Sequence, residues 1–170
     1  VPVRCGIAFN EKKNNSIVVS ILGEGTLGEG VVYESLNIAS ILKLPQIFIC
    51  ENNFYSQSTS QNINTSGNIK DRFESFGIKT FTFNTWEFDD LFVGLENIYK
   101  DIKNNSEPVA IIIQTYRLNA HSKGDDDRSK DEINYFNMID PLNIISKKYK
   151  DFKEKFKLID EEVLRYFDIA

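Results

Sequence analysis

Four strand-length runs recur along this chain: SIVVSIL (16–22), LPQIFICE (44–51), IKTFTFN (78–84) and PVAIIIQTY (108–116). Three of them are apolar almost without interruption. A strand that is apolar on both faces needs cover on both, which is the pattern of a parallel sheet with helices above and below it. The intervening segments agree. Leu27, Val31, Val32, Leu36, Ala39 and Leu42 recur at helical spacing over 27–43. Phe88, Leu91, Phe92, Leu95, Ile98 and Ile102 share one helical face over 87–103. A short helix over 69–77 is closed by Gly77. Pro2 opens a helix at the start, and two further helices follow residue 132. The polar stretches 52–68 and 117–132 read as loops. Strand–helix alternation of this kind predicts an α/β fold, a mostly parallel sheet with helices on both faces.

A length of 170 residues suits a single domain over 1–170. The net charge of −5 argues against a nucleic-acid footprint. In KKYKDFKEKFK (147–157) the basic residues are interleaved with acids, as on a solvated helix face. No apolar run is long enough to span a bilayer, and no leader pattern opens the chain. Cys5 and Cys50 are too few for a disulfide framework and are expected as reduced thiols. This places the protein in the cytoplasm, or in the mitochondrial matrix or another organelle if its source is eukaryotic. The first residues already carry a helix pattern, and IDEEVLRYFDIA at the end is an amphipathic helix with no stop signal. A piece of a longer polypeptide is therefore expected.

Parallel sheets bind ligands beyond the carboxyl ends of their strands. Three polar segments, 23–30, 51–59 and 116–130, lie at such ends and are expected to converge on one rim. The first, LGEGTLGEG (22–30), allows three readings. It can be a tight turn whose glycines supply positive φ and close packing. It also matches G-x-G-x-x-G between a strand and a helix, with Glu51 a little over twenty residues further on, as in an NAD- or FAD-binding oxidoreductase. The third reading uses Glu24 and Asn53, which leave the carboxyl ends of neighbouring strands. A carboxylate and an amide oxygen form a hard-oxygen set suited to magnesium, which keeps coordination positions for phosphate oxygens. The helix N-terminus beside them favours the same anion.

Two motifs bear on the choice. GEGTLGEGVVYESLNIASILKLPQIFICENNFYSQST (23–59) resembles the thiamine diphosphate motif, in which G-D-G is followed roughly thirty residues later by N-N. QTYRLNAHSKGDDDRSKDEI (114–133) is similar to a tyrosine–arginine…histidine–serine loop. In this order and at this distance, both resemble the alpha subunit of the thiamine diphosphate-dependent first component of 2-oxo acid dehydrogenase complexes. The likeness runs from Val1 to about residue 150 and extends to the order of strands and helices. It implies a thiamine diphosphate-binding fold, of which this chain would supply the diphosphate half.

The resemblance assigns roles by position. Glu24, Asn53 and the backbone carbonyl of Tyr55 match the magnesium ligands. Gly23, Gly25 and Thr26 match backbone that cradles the diphosphate, with Asn53 and Tyr55 also against the cofactor. His121 and Ser122 are the candidate catalytic residues. His121 matches the histidine over the cofactor, and imidazoles titrate near neutrality, as proton transfer requires. Ser122 matches a serine that is phosphorylated in some animal relatives. Arg128 is expected to form a loop ion pair within GDDDRSK (124–130), and Glu51 to hold its loop through hydrogen bonds. Glu34 and Asn37 lie on a helix that faces a subunit interface in the family. The implied activity is oxidative decarboxylation of a 2-oxo acid with acyl transfer to a lipoyl group. The implied partners are a beta-type subunit that completes the active site and a lipoyl-bearing acyltransferase, in a hetero-oligomer or a homodimer of fused chains. Pyruvate, branched-chain 2-oxo acids and acetoin all fit as substrates. One departure stands out: Glu24 replaces the family's aspartate and carries its carboxylate over ~1 Å further, against a metal that demands near-ideal geometry. A degenerate, non-catalytic relative is the reading that this departure motivates.

Overall fold

The computed structural model describes residues 1–122 and 124–169. Helix α1 (Pro2–Glu11) leads into β1 (Val18–Gly23), a 3-10 turn (Glu24–Gly28), α2 (Gly30–Ile41) and β2 (Gln46–Asn52). Then follow a small hairpin, β3 (Tyr55–Ser56) and β4 (Thr59–Ser60), and the short helices α3 (Gln61–Asn64) and α4 (Ile69–Glu74). Strand β5 (Lys79–Asn84), α5 (Phe88–Asn105) and β6 (Val109–Gln114) complete the sheet, and α6 (Lys130–Met138), α7 (Pro141–Lys148) and α8 (Phe152–Ile169) end the chain. The four long strands pair in parallel in the order β1-β2-β6-β5. Gly23 pairs with Glu51, and Asn52 with Gln114, so the polar ends of β1, β2 and β6 lie side by side on one rim.

The alternation of side chains along each strand explains why these runs are apolar throughout. On one face Phe48, Cys50, Ala110 and Ile112 pack with Cys5 and Ala8 of α1, Leu36 and Ala39 of α2, and Phe73 of α4. On the other, Ile47, Val109 and Ile111 meet Ile98 and Ile102 of α5. Residues such as Phe48 and Leu36, fully removed from water, each contribute ~1.5–3 kcal/mol. The expected cover on both faces holds for β2 and β6 but not for β1. Leu22 points into the first core, whereas Val19 and Ile21 on the opposite face remain 42% and 55% exposed. Helix α5 lies over β5 and β6 and does not reach them.

Several boundaries differ from the sequence reading. The helix expected over 27–43 begins only at Gly30, because the 3-10 turn takes up the first five residues after β1. The loop 52–68 contains the β3–β4 hairpin and α3. Three helices follow residue 129, not two: Asp140 caps α7 by accepting from the Leu142 and Asn143 amides, with Pro141 at its first position. The segment 147–157 is consequently split between α7 and α8 by a break at Tyr149 and is not one helix face. Along the face expected for α5, Ile98 and Ile102 are buried, but Phe88 and Phe92 remain exposed. Gly77 does close α4, with φ of +70°.

Candidate functional site

Past Gly23 the chain does not run straight into a helix. The 3-10 turn folds Glu24 inward, and its side chain is among the most buried in the molecule, at 2% exposure. Its Oε1 atom has no hydrogen-bond partner. Burial raises the carboxyl pKa above the ordinary glutamate value; the backbone amides of Glu24 and Asn53 and the charge of Arg117 partly offset this. The turn therefore brings Glu24 against Asn53, as the strand register requires.

The glycines serve closeness, not handedness. Positive φ among the glycines is confined to Gly67, Gly77 and Gly124, so the expectation of positive φ in 23–30 is not met. A Cβ on Gly25 would lie 2.3 Å from Ser56 Oγ, so this position admits only glycine while the hairpin sits where it does. Beside Gly23 a Cβ would meet nothing within 4 Å. The turn is thus packed against the hairpin at Gly25 and open at Gly23, with Thr26 exposed.

Asn53 Oδ1 accepts the Tyr55 amide at 3.0 Å, and Asn52 Oδ1 accepts the Phe54 amide at 3.1 Å. These two bonds set the sharp bend after β2, in which Phe54 adopts φ of +68°. An amide oxygen has two lone pairs, so Asn53 keeps one acceptor site. Behind the turn, Leu27 carbonyl accepts from Tyr33 Oη at 2.5 Å and from Arg72 at 3.0 Å, and Arg72 also bonds Tyr33 Oη and the Ser66 carbonyl. Neither Arg72 nor Tyr33 emerges from the sequence pattern, because their shared acceptor is a backbone carbonyl, which carries no residue signal, and it lies 45 residues from Arg72.

The third segment reaches the same rim. Arg117 donates to the Gln57 carbonyl at 2.7 Å, joining the loop after β6 to the β3–β4 turn. His121 and Ser122 lie exposed in that loop, and the Ser122 amide is held by Asp125 at 2.8 Å. Among the described residues no hydrogen bond links His121 to Glu24, Asn53 or Tyr55. The structure thus groups Glu24, Gly25, Asn53 and Tyr55 closely and leaves His121 and Ser122 exposed on the loop after β6. Glu51 is exposed and makes no side-chain hydrogen bond among the described residues, contrary to the loop-holding role expected of it. Arg128 forms the loop ion pair expected of it, and is more buried than a surface pair would be. Its ion pair with Asp126 exists at 2.7 Å, but the arginine side chain is only 4% exposed and belongs to a packed cluster. A cleft of about 540 Å³ opens at this rim, lined in part by Asn52, Phe54, Thr82, Ile112 and Gln114.

The donor set can be tested against a cation. Among the described residues no group of three or more His, Cys, Asp or Glu side chains is placed to hold a metal ion. A metal here would rest on one carboxylate and neutral oxygens, which suits a hard divalent ion that also takes phosphate oxygens. The orphaned Glu24 oxygen and the spare Asn53 acceptor fit that requirement.

Comparison with known proteins decides the family. The dehydrogenase E1 component family matches residues 1–164. The chain belongs to this family. Within it, the chain is 38% identical over 160 residues to the pyruvate dehydrogenase E1 component subunit alpha of Rickettsia felis, covering 90% of this chain and 48% of that protein. It is 29% identical over 159 residues to the mitochondrial 2-oxoisovalerate dehydrogenase subunit alpha 1 of Arabidopsis thaliana, covering 89% of this chain and 34% of that one. The chain thus spans about half the length, or less, of these dehydrogenase E1 relatives. Among solved structures, a transketolase from Campylobacter jejuni matches with a TM-score of 0.55 at 23% identity, over 66% of this chain and 19% of that one. A putative thiamin diphosphate-dependent enzyme from Mycobacterium smegmatis gives 0.51 at 22%, over 68% and 22%. These last two bear on the fold alone and agree with the α/β architecture. The dinucleotide reading of the glycine stretch falls with the family assignment and with the turn, which buries Glu24 before the helix begins.

Proposed function

We propose that residues 1–170 are a single unit of a longer chain, the diphosphate- and metal-holding part of a thiamine diphosphate-dependent 2-oxo acid dehydrogenase of alpha-subunit type. The observation that carries this reading is the buried Glu24 carboxylate with its unpartnered oxygen beside Asn53. An unsatisfied buried polar group costs ~1–3 kcal/mol, more when charged, and a divalent cation removes that cost. Glu24 Oε1, Asn53 Oδ1 and the Tyr55 carbonyl would hold magnesium, and the backbone of Gly23, Gly25 and Thr26 would face the diphosphate. Thiamine diphosphate, when bound, supplies the electron sink that lets carbon dioxide leave a 2-oxo acid. His121, on the loop above, would move protons at the reacting centre, with Ser122 beside it.

The remaining partners follow from the same reading. The acyl group passes to a lipoyl-bearing acyltransferase, and a beta-type subunit completes the active site. Exposed Val31, Glu34, Ile38 and Ile41 share one stripe of α2 and offer it a surface. Pyruvate is the first substrate to test and 2-oxoisovalerate the second, following the names of the relatives. The buried, unpaired thiols Cys5 and Cys50 support a reducing compartment, cytoplasmic or organellar.

The test is calorimetric titration of the full-length protein, assembled with its beta-type partner, with thiamine diphosphate. It is run with and without magnesium, for wild type and Glu24→Asp. Binding by wild type that requires magnesium is expected. Glutamate in place of aspartate favours one second reading, a degenerate relative: binding by Glu24→Asp alone would establish it. Binding by neither overturns the proposal.

A further inference from the structure

The Leu27 carbonyl, near the end of the 3-10 turn, is held by side chains from two other elements. Tyr33 of α2 donates to it through Oη at 2.5 Å, and Arg72 of α4 through its guanidinium at 3.0 Å. The guanidinium also donates to Tyr33 Oη and to the Ser66 carbonyl, so its partners here are all neutral oxygens. The Tyr33 ring lies on Phe76, just past α4, with centroids 6.1 Å apart and planes inclined by 27°. Among the described bonds no backbone amide donates to the Leu27 carbonyl, and the Gly30 and Val31 amides find no backbone acceptor. Glu29, between turn and helix, is extended, with φ of −89° and ψ of 124°.

This arrangement displaces an alternative that the sequence offers. The helical period begins at Leu27, and a helix running on from there would bond the Val31 amide to the Leu27 carbonyl, four residues back. Such a helix would take Glu29 out of its extended backbone and re-aim the turn that carries Glu24 and Gly25. We infer that Tyr33 and Arg72 are positioning residues that occupy the Leu27 carbonyl and so keep the turn Glu24–Gly28 separate from α2. The importance of that turn rests on the roles proposed above for Glu24, Gly25 and Thr26. The physical basis is independent of those roles. Two donors on one carbonyl, one of them charged, outweigh the single amide bond that a longer helix would offer the same atom.

Amide hydrogen exchange tests this in the full-length protein, assembled with its beta-type partner and free of cofactor, because the two shapes differ at the Val31 amide. Wild type is expected to exchange there as an unbonded amide does. In Tyr33→Phe combined with Arg72→Ala the rate should fall about tenfold, since removing both side-chain donors leaves the Leu27 carbonyl to that amide. A general loosening would speed exchange instead. Adding Gly30→Pro should return Val31 to the wild-type rate. Proline is favoured at the first position of a helix and holds the residue before it extended, as Glu29 already is. The consequence for the site is read by calorimetry with thiamine diphosphate and magnesium. Tyr33→Phe and Arg72→Ala should each bind about tenfold more weakly than wild type. Arg72→Lys keeps the charge but not the fork, and should fall between Arg72→Ala and wild type. Unchanged or faster exchange at Val31 in the double variant overturns the inference, as does failure of Gly30→Pro to reverse a slowed rate. Slowed exchange with cofactor binding of wild-type strength overturns it too. Failure of wild type to bind the cofactor would defeat the proposed function, and the exchange rates would still decide whether the Leu27 carbonyl is held in this way.

Discussion

At the scale of single residues, Glu24 sets two requirements against each other. Its carboxylate is buried with one oxygen unpartnered, which opposes ionisation, while a divalent ligand requires ionisation. Because burial raises its folded pKa, the folded state holds this proton more tightly than the unfolded chain does. The resulting contribution to stability is full below the ordinary glutamate value of about 4.3 and is lost as pH rises through the raised folded value. At neutral pH without metal, Glu24→Gln is therefore expected to stabilise by about 1 kcal/mol, a few degrees in Tm. The gain should vanish below a pH of about 4. With magnesium and thiamine diphosphate in excess the order should reverse, with wild type melting higher. Thermal melts of both proteins across pH check all three, and a variant no more stable than wild type at neutral pH without cofactor contradicts the assignment. Gly25 makes a second prediction. Alanine there should destabilise and weaken cofactor binding, since its Cβ has no room beside Ser56, and Ser56→Gly should restore both. Glu24 and Asn53 could be brought together from the sequence because they leave the ends of neighbouring strands, whereas Gly25 and Tyr55 followed only from the family resemblance. Ser56, Arg72 and Glu132 were not legible in the sequence, because Ser56 meets a glycine's missing side chain, Arg72 a distant carbonyl, and Glu132 the hydroxyl of Tyr55 on another segment.

At the scale of elements, the parallel strands and the helices after them could be read from apolar runs and helical spacing, because those patterns follow directly from burial. The start of α2 could not. The helical period begins at Leu27, but Leu27 is buried from within the 3-10 turn, so tertiary packing imitates a longer helix. Helix α5 shows the opposite case, an element located correctly whose contact is set by one small residue. Gly94 faces Phe83 of β5, and a Cβ there would lie 2.3 Å and 2.4 Å from the ring carbons. Helix propensity alone makes Gly94→Ala stabilising by ~1 kcal/mol. Overpacking costs ~1–3 kcal/mol. The crowded distance decides the sign: chemical denaturation should show a net loss of about 1 kcal/mol, largely recovered by Phe83→Leu. An increase in stability would mean that α5 lies further from the sheet than described.

At the scale of the whole molecule, the described residues leave apolar surface uncovered in several places, β1 and α8 among them. Strand β1 forms one edge of the sheet and exposes Val19 and Ile21 on its outer face. Helix α8 exposes Phe156, Ile159, Val163 and Tyr166, which recur at spacings of three and four and form one seam. A β-branched edge strand and an apolar helix seam both invite association. The relatives are about twice as long or more, so in a full-length family member the stretch matched here has neighbours in its own chain. Residues 1–170 prepared alone are therefore expected to bind a hydrophobic dye and to associate as concentration rises, as read by light scattering. The same preparation should show no appreciable decarboxylation of pyruvate or 2-oxoisovalerate. In the proposed function Glu24, Asn53 and Tyr55 would account for a cation and the diphosphate end of a cofactor, whereas His121 stands exposed to water. Positioned charges act strongly only where water is kept out. Association without turnover would agree with a unit that needs its neighbours to close the site. Turnover by a monodisperse preparation of residues 1–170 would place the complete catalytic machinery within this chain and refute the division of labour proposed for it.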